Sequence, residues 1–344
     1  LGRLGAKTFA YYFLTSMLAI LIGLTLTNII RPGEGVDIST GGQGFDPSSL
    51  TQPGSLGNVL VRMIPTNPIK AAANGDVLAV IFFSIVLGMA ITALPERQYK
   101  IVHEFFDNLF QVMMKMTQGV ILFLPLGVFG LISKAVASTG FELFRAVGWY
   151  VVTIGAGLTI HLFVVLPLVF WLLTRINPLK HFKAIASAMA TAFSTSSSGA
   201  TLPVTMDCVE NRAGVSNKVT SFVLPLGATI NMDGTALYEC AGVLFISQAL
   251  GFDLSFTQQF VVVITAFLAS VGAAAIPSAG LVMIFIVLDA VGLGNHPQAA
   301  IIVGTMLAVD RPLDMFRTVV NVTSDTMGAV IVAKSEGEDV LSDN

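Results

Sequence analysis

Apolar residues run along this chain in long unbroken stretches, without the amphipathic alternation of a soluble fold. No charge falls between Lys7 and Arg31, which is long enough to cross a bilayer that needs ~20 apolar residues. A polar, Gly- and Pro-rich stretch over 31–57, containing PGEG and GGQGFDPSS, predicts an exposed connection. After the breaker-rich MIPTNPIKAAANGD, apolar runs at 77–94, 119–132 and 147–173 predict further spans. The second half, 184–333, reads differently, because Ser, Gly, Ala, Thr and Pro interrupt its apolar stretches. Two small-residue segments there, SSSGATLP from Ser196 and SVGAAAIP from Ser270, share Ser, Ala, an aliphatic residue and Pro at the same offsets. Each precedes a long helix with a polar interruption, NMDGT in one case and RTVVNVTSD in the other. Such runs can be helix-packing surfaces. Two of them at matching places in two half-repeats point instead to a transporter binding site.

Composition agrees with membrane residence: of 344 residues, 54% are hydrophobic and 11% charged, against roughly 25% charged in soluble domains. The net charge of −3 implies neither an acidic nor a basic partner, and no nucleic acid. Cys208 and Cys240 lie in apolar surroundings, which argues against a disulfide framework. His103, His161, His181 and His296 are scattered without metal-ligand spacing and read as packing or interface residues. Arg3 with Lys7, and Arg175 with Lys180 and Lys183, are the basic clusters, and both are expected on the cytoplasmic side. The tail after Lys334, SEGEDVLSDN, is expected to be disordered. The chain opens on Leu1 and enters a span at once without a signal-peptide pattern, so a preceding N-terminal segment is expected in the natural protein.

The candidate chemistry sits on the last helix. At ~100° per residue, Asp314, Arg317, Asn321 and Asp325 fall at roughly 40°, −20°, 20° and 60° relative to Asp310, while Val319, Val320 and Val322 lie off that stripe. A charge at the centre of a membrane helix costs ~2.5–3.5 kcal/mol, so the stripe needs partners or a wet cavity. Pro312 also frees a carbonyl one turn upstream. Pairing of Asp314 with Arg317 at i and i+3 leaves Asn321 and Asp325 unexplained. A zwitterion with an extra carboxylate accounts for more. Arg317 offers a planar fork, Asp314 accepts an ammonium, Asn321 hydrogen-bonds polar atoms, and Asp325 suits a hard cation. In GATINMDGTALYE, which begins at Gly227, an unwound NMDGT is expected to break the helix between Gly227 and Gly234. Carbonyls of Gly227, Thr229 and Asn231 are then free for a monovalent cation, with Asp233 supplying charge. Irregular backbone is tolerated at membrane depth only where it is buried in protein or lines a cavity.

NMDGT, AFSTSSSGATLPVT and DMFRTVVNVTSD, with YYFLTS near the start and IPTNP in the middle, resemble the glutamate transporter family of dicarboxylate and amino acid:cation symporters. The resemblance covers nearly the whole chain. It implies an all-α, multi-span transporter of the inner (plasma) membrane with inverted repeats and two re-entrant helical hairpins, at about 184–212 and 257–293. Residues 35–140 would form scaffold-type spans. Residues 1–34 and 141–335 would form a mobile transport domain that works by an elevator motion in a homotrimer, and 336–344 an acidic tail. Two family spans precede the one that opens this chain. The resemblance assigns substrate to Ser196, Ser197 and Ser198, with Ile276, Pro277, Ser278, Ala279 and Gly280 as a gate. Thr235, Asp314, Arg317, Thr318 and Asn321 complete the pocket.

Sodium ions, the co-transported cations, would be held at three places, with no organic cofactor. These are Gly227, Asn231, Asn321 and Asp325; carbonyls of Thr229, Ser270, Val271 and Ala273; and Tyr12, Thr15, Ser16, Asn231 and Asp233. Arg317 stands where carriers of neutral amino acids lack an arginine, which implies L-aspartate or L-glutamate as substrate. A C4-dicarboxylate or proton-coupled glutamate symporter is the alternative. Glu239 stands where animal glutamate transporters keep a proton-carrying glutamate. The second arginine of the family is absent, since its positions are Ser196 and Met315, although Arg311 lies about one turn away. An intramembrane protease built on Ser198 and His161, or on paired aspartates, lacks the surrounding motifs, so no enzyme is expected. A passive channel would carry current without concentrating substrate.

Overall fold

The computed structural model describes residues 2–35, 64–73, 77–121, scattered positions between 123 and 137, then 142–273, 279–294 and 296–341. Among them every regular element is helical. Helix α1 (Gly2–Ile30) is followed by the short α2 (Pro68–Ala73), then α3 (Val77–Thr92) and α4 (Glu96–Ile121). Helix α5 (Glu142–Ile160) continues through a π-helical turn, His161–Val165, into α6 (Leu166–Thr174). The second half holds α7 (Pro178–Ala184), α8 (Ala186–Thr195), α9 (Ser198–Asp207), α10 (Asn217–Ile230), α11 (Asp233–Ala249), α12 (Phe256–Gly272), α13 (Ala279–Ala290) and α14 (Ala299–Ser335). Helix α1 and the α5–α6 run from Phe144 to Thr174 are long and apolar enough to cross a membrane, as the uncharged runs predict. Helix α4 was not foreseen: charges such as Glu96 and Lys100, which pair at 2.9 Å, alternate with apolar residues and hide it from a search for unbroken runs. The run at 119–132 lies largely outside the described residues, as do most of 31–57 and the tail beyond 341.

Local chemistry sets the helix ends. Asn177 accepts from the Leu179 N–H, and Pro178 starts α7 with its φ already helical. Ser255 and Gln258 form a reciprocal capping box at the start of α12. Helix α8 stops at Ser196, whose φ of 51° is left-handed, and Ser197 then caps α9 by accepting from Ala200 N. The α8–α9 pair closes on itself and packs on α14, while α12 and α13 pack together and against α11.

Helices α11 and α14 form the centre. Every residue from Asp233 to Ser247 is buried, and so is every residue from Arg317 to Val330. Helices apolar all round are normally the ones surrounded by protein; here the surrounded stretches also carry aspartates, an arginine and a glutamate. Helices α3 and α4 keep apolar side chains such as Met89, Phe105 and Met116 exposed.

The start of α1 and the end of α14 meet. Arg3 donates to Glu336 from Nη2 at 2.6 Å and Nε at 3.2 Å, and Lys7 Nζ approaches the same carboxylate at 2.5 Å. The basic residues lower the Glu336 pKa to about 2, chiefly through hydrogen bonds from Arg3 and then Lys7. His181 reaches Thr326 in the C-terminal half of α14 at 3.0 Å. The expectation of a disordered tail is corrected as far as Leu341. Glu338 accepts from Ser216 N at 2.9 Å, and Leu341 N donates to Ala213 O at 2.9 Å. Acidic composition read as disorder because the partners lie on other elements.

Candidate functional site

The polar stripe of α14 faces the junction between α10 and α11. Arg317 Nη2 donates to Asp314 Oδ1 at 2.8 Å and to Asp310 Oδ1 at 3.1 Å. The guanidinium carbon lies 3.7 Å from the centre of the Tyr238 ring. Arg317 is nonetheless left with Nε and Nη1 unpartnered, although the residue is only 1% exposed. A buried guanidinium with open donors is expensive, and each open donor suits an anionic oxygen. The (i, i+3) pair with Asp314 does form, and Asp310, which sequence reasoning left without a role, is the second partner. Arg311 stands 3.9 Å from Asp314 Oδ2 on the exposed side.

The remaining pocket candidates gather nearby. Gly280 opens the N-terminal turn of α13 over the arginine: a Cβ there would lie 2.9 Å from Arg317 Nη1 and 3.4 Å from Thr235 Cγ2. Thr318 donates to Asp314 O at 2.9 Å, and Asn321 Nδ2 donates to Thr235 Oγ1 at 3.3 Å. At the α8–α9 tip, Ser196 and Ser198 are buried and Ser196 Oγ has no partner. Ile276, Pro277 and Ser278, and the side chain of Ala279, lie outside the described residues.

The helix break is narrower than the sequence predicts. Helix α10 runs to Ile230, α11 starts at Asp233, and Asn231 and Met232 alone leave helical geometry. The Gly227 carbonyl is not released, because it accepts the Asn231 N–H at 2.9 Å. The glycines serve close approach rather than helix breaking. A Cβ on Gly227 would sit 2.5 Å from both Asp325 Oδ1 and Tyr12 Oη, and one on Gly234 would meet Arg317 O at 2.8 Å. The backbone of α11 thereby comes near enough for Gly234 N to donate to Asn321 Oδ1 at 2.8 Å.

Two of the three proposed cation groups are brought together. Asn231 Nδ2 donates to Asp325 Oδ1 at 2.9 Å, beside Gly227 and one turn from Asn321. In the other group Asp233 Oδ1 accepts from Ser16 Oγ at 2.7 Å and Thr15 Oγ1 at 3.3 Å, while Thr15 also reaches Asn231 Oδ1 at 3.5 Å. Tyr12 Oη donates to Val223 O at 2.8 Å and so borders Gly227. Ser324, which the sequence reading passed over, joins the two by accepting from Asn231 Nδ2 at 3.0 Å and donating to Thr15 at 3.4 Å. His161 was also missed, and it contacts Asp233 at 3.1 Å. For the third group, Thr229 is in the last turn of α10, while Ser270 and Val271 lie in the last turn of α12 and Ala273 follows. Ala273 N donates to Ser270 O at 3.3 Å, but among the described residues no hydrogen bond joins Thr229 to the other three. Glu239, on α11, is fully buried and neither carboxyl oxygen has a partner.

The family model for sodium:dicarboxylate symporters matches residues 1–335. Excitatory amino acid transporter 3 of Mus musculus is 36% identical over 383 aligned residues, covering 97% of this chain and 72% of its own. An excitatory amino acid transporter of Caenorhabditis elegans is 36% identical over 96% of this chain and 73% of its own. Excitatory amino acid transporter 1 of Ambystoma tigrinum is likewise 36% identical, over 96% and 70%.

Proposed function

The chain belongs to the sodium:dicarboxylate symporter family, and from that premise we propose that it is a secondary active symporter carrying L-aspartate or L-glutamate together with sodium ions. The observation that carries this reading is the buried Arg317 with two open donors, flanked by carboxylates. An acidic amino acid supplies what that arrangement lacks. Its side-chain carboxylate accepts from Nη1, the open donor beneath Gly280, and its ammonium takes Asp314. Thr235, Thr318 and Asn321 complete the pocket, the α8–α9 tip at Ser196, Ser197 and Ser198 holds the other end, and 276–280 closes over it. A dicarboxylate without an amino group would set an anion against Asp314, so it is the second choice.

Sodium binds at Asp325 with Gly227, Asn231 and Asn321; at Asp233 with Tyr12, Thr15, Ser16 and Asn231; and at the carbonyls of Thr229, Ser270, Val271 and Ala273. A carboxylate surrounded by hydroxyl and amide oxygens is a hard, oxygen-only environment of the kind a small cation prefers. Glu239 carries a proton, since a buried carboxyl with no donor is costly to hold as an anion. In this reading α8–α9 and α12–α13 are re-entrant hairpins of a moving core. The apolar faces of α3 and α4 belong to a scaffold that meets lipid and two further copies.

The test is uptake of labelled L-aspartate by the protein in liposomes with an inward sodium gradient, beside a matched potassium control. Accumulation only with sodium is expected. Equal uptake under a proton gradient alone overturns sodium coupling, and no uptake of either acidic amino acid overturns the substrate.

A further inference from the structure

Resting on the cation-site reading of Asp233, we propose that His161 is a positioning residue for the sodium ion held there. His161 and Asp233 are both 0% exposed, and His161 Nε2 lies 3.1 Å from Asp233 Oδ2. A carboxylate can only accept, so Nε2 carries the hydrogen and donates. The other ring nitrogen, Nδ1, has no partner.

The two carboxylate oxygens are thus divided by function. Oδ2 is taken by the imidazole, while Oδ1 faces the hydroxyls of Ser16 and Thr15. Those hydroxyls can rotate and turn lone pairs toward a cation, but an imidazole N–H cannot ligate one. Its bond therefore fixes the carboxylate plane with Oδ1 on the ion side. The place of His161 in the fold suits such a role, because it begins the π-helical turn between α5 and α6. Such turns add a residue to one helical turn and re-aim its side chains, frequently at functional sites.

The opposing reading is that the ring only fills space between α5 and α11, which a phenyl ring would do equally well. The test compares half-saturating sodium in the full chain, by sodium-dependent thermal stabilisation and by L-aspartate uptake in liposomes. His161→Phe is expected to raise half-saturating sodium roughly ten-fold or more, the lower range for lost outer partners of an ion's ligands. His161→Gln, which keeps an N–H donor, is expected to restore most of it. With Asp233→Asn already present, His161→Phe should add nothing.

Unchanged sodium dependence in His161→Phe, no recovery in His161→Gln, or full additivity with Asp233→Asn overturns the proposal. If Asp233→Asn itself leaves sodium dependence unchanged, the underlying cation site is wrong and the proposal falls with it. If His161→Phe does not fold, nitrogen NMR of the wild-type imidazole decides. An Nε2-protonated ring with and without sodium is expected, and an Nδ1-protonated ring overturns the role.

Discussion

At the residue scale the proposed function gives Arg317 two duties, and a substitution exposes both. Its Nη2 pairs with Asp310 and Asp314, while Nε and Nη1 have no partner. Arg317→Cys is expected to weaken L-aspartate binding by about a hundred-fold, since a buried charge-assisted bond of up to ~3 kcal/mol is lost. It also strands a buried Asp310 and should destabilise the fold by ~3–5 kcal/mol. Adding Asp310→Asn should restore thermal stability without restoring aspartate binding. Unaltered aspartate affinity in the single variant, read by calorimetry, would count against the assignment. For Glu239, replacement by Gln is expected to flatten the pH dependence of uptake, and an identical pH profile would remove its proton role. The stripe of Asp310, Asp314, Arg317, Asn321 and Asp325 was legible because helical angle depends on spacing alone. That Asp310 shares the guanidinium, or that His161 and Ser324 join the aspartates, was not legible, because those partners lie on one surface only after the helices pack.

At the scale of elements the informative error concerns Gly227 and Gly234. Low helix propensity made them look like breakers, and the sequence marked the right region. Yet the break is confined to Asn231 and Met232, and the glycines let α10 and α11 touch α1 and α14. The two explanations predict opposite signs for Gly227→Ala. As a helix position alone it should gain ~0.5–1 kcal/mol. With a Cβ 2.5 Å from Asp325 Oδ1 and Tyr12 Oη, overpacking costing ~1–3 kcal/mol should win. Thermal unfolding with and without sodium is expected to show a lower midpoint and a smaller sodium-induced shift. A raised midpoint would restore the breaker reading. The small-residue segment at Ser196 marked the turn between α8 and α9, whereas α4 escaped because charges such as Glu96, Lys100 and Asp107 interrupt its apolar residues.

At the scale of the whole molecule, Glu336 ties the first helix to the last. Because hydrogen bonds from Arg3 and Lys7 lower its folded pKa to about 2 from an ordinary 4.5, its contribution is fully present above pH 4.5. It is lost as pH falls toward 2. Glu336→Gln should therefore unfold at a lower temperature than wild type by a constant margin above pH 4.5, and that margin should shrink between pH 4.5 and pH 2. A margin that stays constant through that window would exclude the ionised clasp.

The buried centre has a consequence for how membrane voltage acts on the protein. Ionised, Asp233, Asp310, Asp314 and Asp325 outnumber the single guanidinium of Arg317, and all five residues are buried. If the core moves as proposed, it is when unloaded a displaceable anion, on which an inside-negative potential acts with ~2.3 kcal/mol per charge per 100 mV crossed. In the proposed cycle the potential therefore holds the empty carrier facing outward, where sodium is plentiful. Each ion that enters weakens that hold, until the loaded core turns inward against little electrical opposition. Voltage steps applied without substrate should produce a transient current that sodium progressively alters, and the same steps on an Asp233→Asn/Asp325→Asn chain should move less charge.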